Sequence, residues 1–272
     1  MPHPSETVRR HTGTPSVSEA AALLAAGTTE ASALWVEKHR LRGGDGRNAT
    51  VSVARVMPRT AIPPCVANPD PARRFTACER EAVLSLMQVR RDMRHFCGGQ
   101  VPTDVLQRLL YAAHHAPSVG YMQPWRFMRI QNHDTRVRLH ALVEAERIQT
   151  ARALGQRESE FMQLKVQGIL DAAEVLVVAL ADGRERHVFG RRTMPEMDLA
   201  SAACAIQNLW LAARVEGLGM GWVSLFEPAE LAALLSLPEG ASPIAVLCLG
   251  PVEGYYTEPM LVQQQWVQCE AL

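Results

Sequence analysis

The chain has no excess charge of either sign: across its 272 residues, 28 Lys and Arg balance 28 Asp and Glu. Without a basic surplus there is no electrostatic reason to expect nucleic acid or an anionic membrane as a partner. A long hydrophobic run is also missing. The most apolar stretch, residues 199–213, is interrupted by Ser201, Gln207 and Asn208, and it is shorter than the roughly 20 residues a membrane crossing needs. The six cysteines (Cys65, Cys78, Cys97, Cys204, Cys248 and Cys269) form no C-x-x-C pair, and no histidines interleave at zinc spacing. That usage fits reduced, mostly buried thiols in a cytoplasmic protein, with no metal. Arg9-Arg10 precedes the short run 21–26, but Glu19 and the weak hydrophobicity of that run argue against an export signal. There is no Walker loop, no G-x-S-x-G elbow and no H-E-x-x-H, so the usual supports for a nucleotide triphosphatase or hydrolase are absent. Gly217-Leu218-Gly219-Met220-Gly221 follows a helix pattern and precedes a strand pattern, the reverse of a dinucleotide-binding turn.

What is present divides the chain in two. Eight of the 17 prolines fall in the first 75 residues, with Trp35 and Phe75 as the only aromatics there. A short helix is expected over 17–24, and the rest of residues 1–73 reads as a disordered or mis-annotated extension, because it buries too little apolar surface to offset its ordering entropy. Residues 74–272 form one α+β domain. Helices are expected over 79–89, 102–116, 136–154, 157–172, 195–216 and 228–236, and strands over 126–130, 174–181, 221–226 and 243–249. The helix over 199–213 is apolar on nearly every side and must be buried all round, either inside the domain or between two subunits.

Two strings carry chemistry. Arg90-Arg91-Asp92-Met93-Arg94 packs three guanidiniums around one carboxylate, a pattern suited to holding phosphate or simply forming a solvated helix end. Nearby positive charge is expected to keep Asp92 ionised. Residues 116–125 form a Pro- and Gly-punctuated loop in which Ser118 and Gln123 can pair with a heterocycle's edge or merely shape a turn. Lys165 interrupts an apolar stretch and either reaches a ligand or snorkels to solvent. Residues 190–198 read as a mobile lid or a plain surface loop, and Ser224 as a cavity wall or an ordinary strand residue.

Taken together with His114-His115, Gln123-Pro124-Trp125 and residues 190–198 and 219–224, these strings resemble the 5,6-dimethylbenzimidazole synthase (BluB) family, a branch of the nitroreductase-like flavoproteins, from about residue 74 to residue 266. Residues 1–73 have no counterpart in that resemblance. It implies a nitroreductase-like sandwich, a mixed sheet with surrounding helices, forming an intertwined homodimer with FMN at the interface. It implies that FMNH2 is consumed as a substrate with O2, giving 5,6-dimethylbenzimidazole, the lower ligand of vitamin B12, and erythrose 4-phosphate, with an external flavin reductase supplying FMNH2. By the same resemblance Asp92 and Ser224 are catalytic. Arg90, Arg91 and Arg94 hold the phosphate and ribityl end, and Ser118, Gln123 and Lys165 bind the ring or ribityl chain. The rival readings are an NAD(P)H-dependent flavin or nitro reductase on the same fold and a non-catalytic flavin carrier.

Overall fold

The structure, a computed structural model, describes the backbone of residues 36–42 and 48–54 and, in full, residues 70 and 72–267. The short helix expected over 17–24, and Cys65 and Cys269, lie outside the described residues. Along the chain the main elements are β1 (Val36–Arg42), β2 (Asn48–Ala54), α1 (Ala77–Val89), α2 (Thr103–His114), β3 (Trp125–Ile130), α3 (His133–Ala153), α4 (Glu158–Gln163), β4 (Glu174–Leu180), α5 (Met197–Val215), β5 (Gly219–Val223), α6 (Pro228–Leu234), β6 (Ser242–Gly250) and α7 (Met260–Gln263).

The six strands form one sheet in the order β1-β2-β3-β4-β6-β5, and every ladder is antiparallel. The expected mixed sheet is therefore corrected: the one parallel pairing among the described residues is an isolated bridge between Asp92 and Met220. β1 and β2 fall inside the segment expected to be an extension, and β2 pairs with β3 from Val51 opposite Ile130 to Ala54 opposite Phe127.

Alternation along the strands feeds two cores. Phe127, Leu176, Val178 and Leu247 face α2 and α5 on one side of the sheet, while Met128, Val175, Val177 and Val246 face α3 and α6 on the other. β4 sits between them and is buried at every position, as a strand covered on both faces must be. The run of β-branched residues that marks it in the sequence has this cause.

Three expectations change. The helix expected over 157–172 ends at Gln163. Arg147 Nη2 donates to the carbonyls of Met162 (2.5 Å) and Leu164 (3.1 Å), so a side chain from α3 takes up acceptors at its end. α5 buries Ala202, Ala205, Ile206, Leu209 and Ala213, but Leu199 keeps 48 % of its surface exposed and Cys204 is exposed too. Within the described chain the helix is thus buried on one face only. Thiols expected to be mostly buried are mostly exposed: Cys78, Cys97 and Cys204 lie at the surface, and only Cys248 of the four described is buried. Burial pushes the Cys248 thiol up to about 11, so it stays neutral.

Candidate active site

The arginine string begins where α1 stops. Arg90 is its C-cap and turns extended (φ −63°, ψ 133°), and the following residues run beside β5. Met93 N–H donates to the Met220 carbonyl (2.9 Å). The period-two alternation of extended chain puts Arg90, Asp92 and Arg94 on one side and buries Met93 on the other. This close pairing requires glycine in β5. A Cβ at Gly221 would overlap the Met93 carbonyl oxygen and lie 3.0 Å from Arg94 Nη1 and 3.2 Å from Asp92 Oδ1, while one at Gly219 would overlap Val252. In the sequence Gly219 reads as part of a helix-to-strand connection and Gly221 as the first residue of a strand. Their spacing two apart, beside an apolar residue, was the available sign of a strand approached closely by another backbone.

Asp92 sits in a closed ring of hydrogen bonds. The Trp222 amide donates to Oδ1 (3.1 Å). Arg94 Nη2 donates both to Oδ2 (2.5 Å) and to the Trp222 carbonyl (2.7 Å). The carboxylate keeps 42 % of its side-chain surface open, and that surface faces a cavity. Burial nevertheless raises its pKa, outweighing Arg94, the Trp222 amide and Arg90, which all act to lower it. Nearby positive charge, expected to govern Asp92, is therefore not the dominant influence: desolvation is, and the group has the raised proton affinity of a candidate general base.

The three arginines, adjacent in sequence, have different surroundings. Arg90 stacks over the Trp210 ring at 4.5 Å, and its guanidinium makes no hydrogen bond among the described residues. Arg91 donates to the carbonyls of Gln88 (2.6 Å), Arg90 (2.8 Å) and Thr257 (2.8 Å), so it ties the end of α1 to the C-terminal segment. Arg94 is 8 % exposed and is engaged with Asp92 and Trp222.

All three, together with Asp92 and Ser224, line one cavity of about 610 Å³, within the range that takes a cofactor-sized ligand. Ser224 follows β5 directly and is exposed to it. The remaining walls are largely apolar, with Leu154, Phe161, Leu164, Leu225, Leu261 and Trp266 among them. Sequence reasoning missed the C-terminal wall. Its anchor, Trp266, lies under the Arg157 guanidinium (3.6 Å) and edge-on to Phe161 (6.1 Å). Two buried donors on residues of this wall, Arg91 Nε and Arg94 Nη1, have no partner among the described residues. A ligand rich in acceptors, such as a flavin phosphate with its ribityl chain and ring carbonyls, fits a cavity lined by three guanidiniums, of which that of Arg90 makes no hydrogen bond among the described residues.

Ser118, Gln123 and Lys165 are not brought to this cavity. Ser118 Oγ accepts from the Gln123 amide (3.1 Å), and Gln123 Nε2 donates to the His114 carbonyl (3.4 Å). Their loop is tightly wound, with Gly120, Tyr121 and Gln123 at φ +53°, +53° and +49°. Lys165 Nζ pairs with Asp171 (2.5 Å), although its neighbours Leu164 and Val166 line the cavity. Residues 190–198, expected as a lid or surface loop, pack on the Ser118 loop: a Cβ at Gly190 would lie 2.8 Å from Val119 Cγ2, and one at Gly120 2.8 Å from the Phe189 carbonyl oxygen. Their far end is fixed by buried Asp198, which accepts from Arg184 Nε (3.0 Å) and Arg191 Nε (2.8 Å).

One hydrogen-bonded serine couples this loop to α5. Ser201 Oγ accepts from Val119 N–H (3.0 Å) and donates to the Met197 carbonyl (2.6 Å). Ser201→Ala leaves the Val119 amide without that partner and is expected to cost about 1–2 kcal/mol, read as a lower midpoint in thermal unfolding. An unchanged midpoint would show that the contact does not hold the loop.

Residues 87–251 match the family model described as Nitroreductase family, and residues 1–54 match that described as Cobalamin synthesis G C-terminus. The chain is 35% identical over 194 residues to a 5,6-dimethylbenzimidazole synthase of Rhodospirillum rubrum, covering 71% of this chain and 92% of that protein. Among solved structures it is similar to oxidized iodotyrosine deiodinase bound to FMN and 3-iodo-L-tyrosine (TM-score 0.56, 19% identity, 70% of this chain and 96% of that one). It is also similar to a BluB-like flavoprotein from Clostridium difficile 630 (TM-score 0.53, 18% identity, 70% and 99%). At these identities the structural likenesses show the α+β fold, and the sequence relative shows the branch. The chain belongs to the nitroreductase family and, within it, to the 5,6-dimethylbenzimidazole synthases.

Proposed function

We propose that the chain converts reduced FMN and O2 into 5,6-dimethylbenzimidazole, the lower ligand of vitamin B12, with release of erythrose 4-phosphate. The observation that carries this reading is Asp92: a carboxyl of raised proton affinity, open to a cavity it shares with three guanidiniums and the Ser224 hydroxyl. A flavin reductase that recycles its cofactor has no need of a base placed beside the sugar chain, whereas breaking that chain from the ring requires removal of a proton. The match of residues 1–54 to a cobalamin-synthesis model agrees with the same metabolic setting.

FMN supplies the ring that reacts with O2 when reduced and the ribityl carbon that is cut. The protein supplies the rest. Arg90, whose guanidinium stacks on Trp210, and Arg91 and Arg94 on the same cavity wall bind the anionic and acceptor-rich end. Asp92 receives the proton, and Ser224, on the same wall, is the second polar group at the reacting end. The apolar walls around Phe161, Leu164 and Trp266 exclude bulk water from the site. Ser118 and Gln123 act across a homodimer, reaching FMN bound against a second copy. The outward face of α5, with Leu199 and Cys204 exposed, is the surface offered to that copy. Lys165 contributes once it leaves Asp171. The enzyme works in the cytoplasm without a metal, and a separate reductase supplies FMNH2.

The reading is tested by coupling the protein to a flavin reductase and NADH in air and following total FMN. Loss of FMN matched mole for mole by 5,6-dimethylbenzimidazole supports it. NADH oxidation by this protein without added reductase, at constant total FMN, supports the reductase alternative instead.

A further inference from the structure

We infer that the outer edge of β3 is a strand-docking surface, that its occupant is this chain's own β1–β2 pair, and that the docked pair exchanges an apolar sheet edge for a charged one. The inference rests on backbone pairing and sequence and does not depend on the synthase reading.

A sheet edge presents a row of unpaired N–H and C=O groups, and a long apolar edge invites pairing with other chains. Strands β3, β4, β6 and β5 all lie within the residues that match the nitroreductase family model, so that unit has two edges to close. At β5 the Asp92 segment closes one: Met93 N–H donates to the Met220 carbonyl (2.9 Å), and Asp92 bridges to Met220. β3 is the other edge. Trp125, Phe127, Met128 and Ile130 make it largely apolar, and among the described residues its outward side pairs with β2 alone. That ladder sets Val51, Ser52, Val53 and Ala54 opposite Ile130, Arg129, Met128 and Phe127.

The occupant suits the surface. β2 carries Thr50, Val51 and Val53, residue types that strand pairing favours. β1 pairs with β2 from Val36 opposite Ala54 to Arg42 opposite Asn48, and it becomes the outermost strand on this side. Its sequence holds Glu37, Lys38, Arg40 and Arg42. Charged residues, lysine especially, are a means by which sheets blunt an exposed edge. The basic surplus of Lys38, Arg40 and Arg42 over Glu37 also makes a second copy of the same edge a poor partner, because like charges placed opposite each other destabilise a strand pair. Both strands fall in residues 1–54, which match the Cobalamin synthesis G C-terminus model. The sheet therefore joins residues matched by two different family models, and the backbone ladder between β2 and β3 is the seam.

The test uses the full-length protein. Successive residues of an antiparallel strand turn their N–H groups to opposite sides. Of Ser52→Pro and Val53→Pro, one thus removes a donor facing β3 and the other a donor facing β1, and proline disrupts a strand interior in either case. Ser52→Thr and Val53→Ile keep strand-forming residues and serve as the conservative counterparts. Amide hydrogen exchange is read residue by residue over 48–54 and 125–130, and particle mass is followed by light scattering against protein concentration. In the wild type, residues 51–54 are expected to exchange at least about tenfold more slowly than unstructured chain. Either proline is expected to speed exchange of 48–54, and of the 125–130 amides that face away from β4, by about tenfold or more. Particle mass should then grow with concentration, while the conservative variants match the wild type. The triple variant Lys38→Thr, Arg40→Thr, Arg42→Thr should keep both segments protected and yet associate through its uncharged edge. Wild-type exchange of 51–54 at the rate of unstructured chain overturns the inference, as does unchanged protection of 125–130 in both folded proline variants. A triple variant as monodisperse as the wild type overturns the role given to the charged edge. If neither proline variant folds, the wild-type exchange decides. None of these readouts involves flavin, so failure here is separate from failure of the synthase reading.

Discussion

Asp92→Asn is expected to eliminate 5,6-dimethylbenzimidazole formation, by about 10³-fold or more, while FMN affinity changes less than about threefold. Asparagine has nearly the same shape, and its oxygen can still accept from the Trp222 amide, while the backbone pairing of Met93 with Met220 is untouched. What is lost is the ability to take a proton, together with the second oxygen that accepts from Arg94 Nη2. The wild-type rate should show the matching signature. Burial raises the Asp92 pKa, so the acid limb of the single-turnover profile should lie above the ordinary carboxylate value of about 3.9, and the rate should fall as pH drops through it. The sign for stability is the reverse. A carboxyl with a raised folded-state pKa favours folding in its protonated form, so that contribution is present in acid and lost as pH rises through the folded value. Near neutrality the ionised carboxylate opposes folding by the same linkage. Full product yield from a folded Asp92→Asn protein would remove Asp92 from the chemistry.

Gly221→Ala is expected to damage both stability and activity. The added methyl would overlap the Met93 carbonyl oxygen and press on Arg94 and Asp92, forcing the arginine string away from β5. Overpacking of this kind costs about 1–3 kcal/mol, and here the displaced atoms are the ones that aim Asp92. Thermal unfolding and single-turnover yield should both fall. Gly254→Ala is the control: a Cβ there meets nothing within 4 Å, and neither quantity should change. Equal tolerance at the two positions would mean that the Asp92 segment does not pack on β5 as described.

Much of the frame is legible in the chain. The apolar β-branched run of β4 and the long α5 are set by local pattern, because each lies against a core whose periodicity it must match, and the helix preceding the arginine string is marked by its own capping box at Thr76 and Glu79. Features governed by distant backbone are not legible in this way. β5 begins at Gly219, two residues before the strand expected from Gly221, because what excludes side chains there is distant in sequence, Val252 at Gly219 and the Met93 backbone at Gly221. β1 and β2 were hidden by the proline-rich composition around them, although Gly43, Gly44, Asp45 and Gly46 between the two strands are residues that favour turns.

The site divides along the same line. Clustering alone picks out Arg90, Arg91, Asp92 and Arg94, and the structure gathers them with Ser224 around one cavity. Their separate surroundings depend on the Trp222 peptide, the Thr257 carbonyl and the Trp210 ring. No local pattern announces those partners. The direction of the Asp92 shift was missed for a related reason: neighbouring charges are visible in a sequence, whereas desolvation is a property of the folded surroundings. Ser118 and Gln123 were chosen for their chemistry, but within one chain that chemistry is spent on their own loop and on the His114 carbonyl.

The most direct test of the account is a single turnover with the flavin as limiting reagent. The purified protein is loaded anaerobically with chemically reduced FMN, exposed to O2, and its products are separated and identified by mass. The account predicts 5,6-dimethylbenzimidazole and erythrose 4-phosphate in amounts matching the FMN lost, and none of either from Asp92→Asn. Quantitative recovery of intact oxidised FMN from folded, flavin-loaded wild-type protein would contradict it.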